Sequence, residues 1–141
     1  MSRAYLAFTE KGMALAHRLA RALPGSVSRC GAGGVKLADW TAVQFAQSDA
    51  LIFVGAVGIA VRAIAPHCKS KATDPAVVVL DECGRFAVPL LSGHLGGANA
   101  LARALAEACG AIPVIRLSRS GSSVSKSMLV SPIITPALWL T

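Results

Sequence analysis

Two five-residue runs, Ala50–Val54 (ALIFV) and Ala76–Leu80 (AVVVL), contain no polar side chain. A strand with one wet face alternates apolar and polar residues, so an unbroken apolar run must be covered on both faces. That calls for helices above and below a mostly parallel sheet. The flanking sequence supplies them. Arg3 to Phe8 reads as a first strand and Thr9 as a helix N-cap. Glu10 to Leu23 carries Met13, Leu15, Ala16, Leu19, Ala20 and Leu23 at helical spacing. Pro24-Gly25 ends that helix, Cys30 to Gly34 is a glycine-rich loop beside a short strand, and Asp39 to Gln47 is a second helix. Met13 and Trp40 read as core rather than as ligand contacts.

After Ala50–Val54 come the turn Gly55-Ala56-Val57-Gly58, a helix Ile59 to Ala65, and Pro66. Ala76–Leu80, the tight turn Asp81-Glu82-Cys83-Gly84 and Phe86 to Leu91 read as neighbouring antiparallel strands. A helix from Ala98 to Ala108 stops at Cys109-Gly110, and Ile112 to Ile115 is the last strand. This order predicts an α/β fold, a three-layer α/β/α sandwich with a mostly parallel sheet, Rossmann-like. Arg116 to Ser127 is Ser/Arg-rich, and Met128 to Thr141 is apolar but broken by Pro132 and Pro136. Residues 1–115 are therefore expected as one domain and 116–141 as a divergent tail.

Composition excludes several classes. With 141 residues, 54% hydrophobic and 15% charged, the chain suits one domain with a substantial core. The longest apolar run, Ala50 to Val61, holds two glycines and stops at Arg62. It falls short of the roughly 20 residues of a membrane span, and the amino terminus reads as a strand rather than a signal peptide. No membrane association and a cytoplasmic location are expected. A formal charge of +7 suggests nucleic acid, but the basic residues are scattered from Arg3 to Lys126 without interleaved aromatics. A polyanionic small molecule explains the excess at least as well, and no nucleic-acid partner is expected. Cys30, Cys68, Cys83 and Cys109 lack the paired spacing of a zinc site and read as reduced thiols. His67-Cys68 with Cys83 is the one conceivable metal corner, and no metal site is expected.

Two turns could carry chemistry. The first is Gly55 to Gly58, leading to Arg62; the second is Ser92-Gly93-His94-Leu95-Gly96-Gly97-Ala98-Asn99. Both are expected to aim helix N-terminal amides at the same edge of the sheet, where α/β domains bind anions. The first lacks the third glycine and the downstream acid of a dinucleotide fingerprint. In the second, Gly93, Gly96 and Gly97 allow close approach of a ligand. His94 is a general base, a metal ligand or a hydrogen-bonded structural residue. Ser92 sits outside any nucleophile elbow, and Asn99 either meets a ligand or caps the helix. Lys69, Lys71 and Asp74 form a carboxylate-binding corner or a solvated loop.

Three ordered motifs resemble the cobalamin-biosynthesis family CbiG. They are Phe53 to Pro66, Lys71 with Asp74 to Glu82, and Leu90 to Asn99 followed by Leu101-Ala102. The opening Phe8-Thr9-Glu10-Lys11-Gly12 fits the same family, so the likeness covers residues 3 to 115, the amino-terminal domain. The resemblance implies cobalt-precorrin-5A hydrolase activity in the anaerobic route to vitamin B12. That reaction opens the δ-lactone of a cobalt-bound tetrapyrrole and releases acetaldehyde. It implies no cofactor of the protein's own, since cobalt arrives in the substrate. It makes Arg62, Lys71, Asp74 and the amides of Gly55, Gly58, Gly93, Gly96 and Gly97 candidates to hold substrate, with Ser92 and Asn99 beside them. His94 becomes the candidate to activate water or shuttle a proton. Family members continue past Pro113-Val114-Ile115 with a Thr-Thr-Ala-Thr-Asp run, a linker and a carboxy-terminal domain. Here the chain reads Arg116-Leu117-Ser118-Arg119-Ser120. A one-base deletion in codons ACG-ACT-G reads CGA-CTG, Arg-Leu, so a frameshifted or truncated product is expected, incomplete as an enzyme. Expected partners are the tetrapyrrole, and a separate carboxy-terminal protein or a second copy of the chain. The competing reading is a non-catalytic module that holds an anionic tetrapyrrole for a partner subunit.

Overall fold

The structure, a computed structural model, describes residues 1–92 and 97–115. Its elements run β1 (Arg3–Ala7), α1 (Glu10–Ala22), β2 (Ser26–Arg29), α2 (Leu37–Gln47), β3 (Ala50–Val54) and α3 (Val57–Ile64), then β4 (Ala76–Leu80), β5 (Phe86–Leu91), α4 (Ala98–Cys109) and β6 (Ile112–Pro113). The described strands form one sheet in the order β2-β1-β3-β4-β5-β6. β1 to β4 are mutually parallel, β5 runs antiparallel to β4, and β6 is parallel to β5. The expected mostly parallel α/β sheet is present.

Each residue of β3 and β4 is buried, as their composition demands. Successive side chains point to opposite faces and feed two separate cores. Tyr5, Ile52, Val54, Val78 and Leu80 meet Leu15 and Leu19 of α1 and Leu101 and Leu105 of α4. Leu6, Leu51, Phe53, Val77 and Val79 meet Trp40 of α2 and Ala60 and Ile64 of α3. Trp40 stands edge-on to Phe53, ring centroids 5.5 Å apart at 76°. Three layers result.

Local chemistry sets the boundaries. Thr9 caps α1 through its Oγ1, which accepts from Gly12 N–H at 2.9 Å. α3 begins at Val57, two residues before the helix expected from Ile59, and so takes Gly58 into its first turn. β6 is shorter than expected, and Pro113 is accommodated in it because an edge strand leaves that nitrogen facing away from its one neighbour. Ile112 and Val114 N–H, on either side, donate to Arg85 O and Ala87 O.

Tyr5 couples the sheet to the end of α1, its hydroxyl donating to Leu23 O. Burial pushes the phenol from 10 up to about 12, against a smaller opposing pull from the Arg3 guanidinium. The folded state therefore holds this proton more tightly than the unfolded chain. The associated stability is complete below pH 10 and lost as the pH climbs toward 12. The urea midpoint of the native chain should fall over that window relative to that of Tyr5→Phe. Parallel declines would contradict the assignment.

Candidate functional site

β5 decides where the two glycine turns lie. Val54 pairs with Leu80 across β3 and β4, and Gly55 N–H donates to Leu80 O at 2.8 Å. The Gly55 turn thus sits at the carboxy-terminal edge of the parallel strands. β5 returns from that edge, with Ala87 opposite Leu80 and Leu91 opposite Val77. Ser92 therefore emerges at the other edge, about 13 Å away along the strands. The expectation that both turns aim amides at one edge is corrected by this reversal. Gly55 and Gly58 lie at one edge; Asp74, Ser92, Gly97 and Asn99 lie at the other, with the Lys69–Lys71 connection. Arg62 occupies the exposed last turn of α3, which runs from the first edge toward the second.

At the Gly55 edge several side chains already have partners, although the first amides of α3 carry no side-chain cap. Thr9 Oγ1 donates to Glu82 Oε2 at 2.6 Å, and Lys11 Nζ donates to Cys83 Sγ at 3.2 Å. Asp81 Oδ1 accepts from Arg85 and Phe86 N–H. Gly55 answers a packing need, since a Cβ there would stand 2.8 Å from Phe8 Cδ2. A Cβ at Gly58 would meet nothing within 4 Å.

The opposite edge holds an unusual corner. Ser92, only 7% exposed, adopts φ +59°, the one positive φ outside glycine among the described residues. Such a conformation costs roughly 1–2 kcal/mol and persists where the surroundings enforce it. Here Ser92 Oγ donates to Asp74 O at 3.1 Å, and Ala98 N–H donates to Ser92 O at 3.1 Å. Asp74, also buried, accepts from Lys69 N–H at 2.9 Å through Oδ2 and 3.2 Å through Oδ1. Both side chains are satisfied inside the protein, so what they contribute is position. They fasten the connection after α3 to the start of α4.

Around this corner the side chains face outward. Lys69 and Lys71 are exposed, and His67 lies against Phe45 with ring centroids 5.7 Å apart at 34°. Phe45, His67, Lys69, Thr73, Asp74 and Pro75 line a groove of about 290 Å³. It shares Phe45, Ala46, Thr73 and Pro75 with a second hollow of about 420 Å³ that reaches Ser48 and Asp49. Ser2, through its N–H and then its hydroxyl, holds the Asp49 carboxyl below the usual range. Partial burial and then the Asp74 carboxylate push the Cys68 thiol up. Gly97, at φ +81°, is the N-cap of α4 and brings no side chain to its first amides. Ala98 N–H is taken by Ser92 O, and the amides that follow it suit carboxylates, as do the lysines.

Gly93, His94, Leu95 and Gly96 lie outside the described residues. Asn99 sits half-buried in the first turn of α4 and caps nothing. Cys83, at the Gly55 edge, is remote from His67-Cys68, so that metal corner does not form. Among the described residues no three of His, Cys, Asp or Glu gather to hold a metal ion. Phe45, His67 and Thr73 were not foreseen as one wall. The sole sequence signal was His67 between Pro66 and Lys69, in a connection too polar for core.

Fold and corner together define an α/β domain with a cationic, amide-rich edge. The chain belongs to the cobalamin synthesis G N-terminal family, whose model matches residues 39–119. It is 43% identical to a cobalt-precorrin-5A hydrolase of Salmonella typhimurium over 136 residues, 88% of this chain and 38% of that protein. It is 46% identical to a cobalt-precorrin-5A hydrolase of Priestia megaterium over 86 residues, 61% of this chain and 22% of that protein. A crystal structure of a cobalamin biosynthesis protein G homologue from Sulfolobus solfataricus matches with TM-score 0.68 and 28% identity. That match covers 81% of this chain and 36% of the other. The chain thus spans well under half the length of these relatives.

The Ser92 corner can be tested by stability alone. Ser92→Ala keeps the strained backbone and loses the bond to Asp74 O, at a cost of about 1 kcal/mol. Ser92→Gly loses the same bond but relieves the strain, and should unfold at higher urea than Ser92→Ala. The reverse order would show that φ +59° is not imposed on this residue.

Proposed function

We propose that this chain is the amino-terminal part of a cobalt-precorrin-5A hydrolase of the cytoplasm. The observation that carries the reading is its 43% identity to the Salmonella typhimurium hydrolase across 88% of its length. In this role cobalt enters with the substrate and the protein brings no cofactor of its own. The acetate and propionate arms of the tetrapyrrole meet Lys69, Lys71 and the first amides of α4, with Arg62 nearer the outer rim. Phe45 and His67 supply a flat, partly apolar wall. The groove is too small for a whole tetrapyrrole, so it takes an edge or arm while the remaining surface is met by the rest of the enzyme.

Two steps are required. Water adds to the lactone carbonyl, and its acyl C–O bond breaks to give a carboxylate and a free hydroxyl. The hydroxyl then loses its proton, its carbon–carbon bond to the macrocycle breaks with the electron pair staying on the macrocycle, and acetaldehyde leaves. His94, between the clamped Ser92 and Gly97, is proposed as the base that takes these protons. The amides at the start of α4 stabilise the oxyanion formed at the lactone.

Acetaldehyde release tests this. The chain, coexpressed with the remainder of the Salmonella typhimurium hydrolase, should convert cobalt-precorrin-5A. Lys69→Ala with Lys71→Ala should raise KM about tenfold with kcat little changed, and His94→Ala should lower kcat by a factor of at least 10². Tight binding without turnover would favour the non-catalytic module, and neither binding nor turnover would overturn both readings.

A further inference from the structure

The two helical layers present different faces to the outside. On the α1 and α4 side the exposed positions include Glu10, Lys11, His17, Arg18, Arg103 and Glu107. Such a face is well hydrated and costly to cover. On the α2 and α3 side, Ala42, Val43 and Ala46 of α2 and Val57, Gly58 and Val61 of α3 are exposed. Val43, Val57 and Val61 leave 47%, 43% and 43% of their surface open. Only Asp39 and Arg62 bring charge to the exposed stripes of these two helices. By spacing, Val43 (three residues after Trp40) and Val57 and Val61 (three residues before Ala60 and Ile64) flank the stripes buried against the sheet, and Asp39 and Arg62 stand farther round toward the outside. Three exposed valines and only two charges make this the less hydrated of the two helical faces, and exposed apolar surface of that kind suits a protein contact.

We infer that the outer face of α2 and α3 docks the remainder of the enzyme, the portion that the relatives possess beyond the segment matched here. The inference rests on family membership and goes beyond the proposed reaction. The matched segment is 38% of the Salmonella typhimurium hydrolase and 36% of the Sulfolobus solfataricus homologue, so a larger body accompanies this domain in those proteins. The charged face of α1 and α4 is unsuited to burial, whereas the face of α2 and α3 has little to desolvate. β6, parallel to β5, sends the chain toward the edge that holds Lys69 to Asp74, where α2 and α3 also end. Docking there walls the open side of the Phe45–His67 groove. The site becomes an interdomain cleft, a common place for small-molecule sites.

Cysteine labelling in the coexpressed complex tests the surface without reference to turnover. Maleimide modification at Val61→Cys, followed site by site by mass spectrometry, should slow at least tenfold in the complex relative to the chain alone. Ala14→Cys, exposed on α1, should change less than twofold. Val61→Asp should abolish copurification with the remainder, while Ala14→Asp should not. Unchanged labelling at Val61→Cys, a Val61→Asp chain that still copurifies, or a remainder that stays unbound or insoluble beside the chain each overturns the inference. Slow labelling already in the isolated chain, with a dimer in sedimentation, overturns it in favour of a second copy. A complex that protects Val61→Cys yet releases no acetaldehyde condemns the proposed reaction and leaves the docking face standing.

Discussion

Burial of β3 and β4 on both faces is the constraint on which the rest depends. Ten consecutive-in-space residues without a polar side chain can exist in water only between two apolar layers, so α1 with α4 and α2 with α3 follow. Each crossover in the parallel part then returns a helix whose amino terminus faces the carboxy-terminal edge. That is where an α/β domain ordinarily binds its ligand. In this domain several side chains of that edge are paired with one another, Thr9 with Glu82 and Lys11 with Cys83, while the first amides of α3 carry no side-chain cap.

The reversal of β5 relocates the second glycine turn. Because β5 returns antiparallel, α4 starts at the opposite edge, beside the connection that carries His67, Lys69 and Lys71. Two buried polar residues tie these pieces together, Ser92 Oγ to Asp74 O and Asp74 carboxylate to Lys69 N–H. The strained Ser92 backbone is sustained by that arrangement, with Ala98 N–H donating to Ser92 O. The adjoining helices carry few charges on their exposed positions, which suits the docking proposed for a further protein body beside this corner.

Much of this was legible in the residues. Unbroken apolar runs announced doubly covered strands, Thr9 announced a cap, and the Asp81-Glu82-Cys83-Gly84 turn announced an antiparallel return. The motif order around Phe53, Lys71 and Leu90 pointed to the family that the comparisons bear out. The one-edge placement of the two turns overlooked a consequence of that antiparallel return: a reversed strand must deliver Ser92 to the edge opposite Gly55, as the register of Leu91 opposite Val77 confirms. Asp74 looked like a ligand residue, yet its burial and bonds to Lys69 N–H depend on a connection whose path no periodicity encodes. Phe45 was hidden for a similar reason: a helix-end aromatic reads as core until the neighbouring histidine is seen beside it.

The central claim is that substrate is held at the Asp74–Ser92 edge. Amide hydrogen exchange of the coexpressed complex, with and without cobalt-precorrin-5A, addresses it most directly. The account requires slowed exchange in residues 67–74 and at the start of α4, with Gly55 to Gly58 unaffected. Protection confined to Gly55–Gly58 and the Cys30–Gly34 loop would place the ligand at the opposite edge and contradict it.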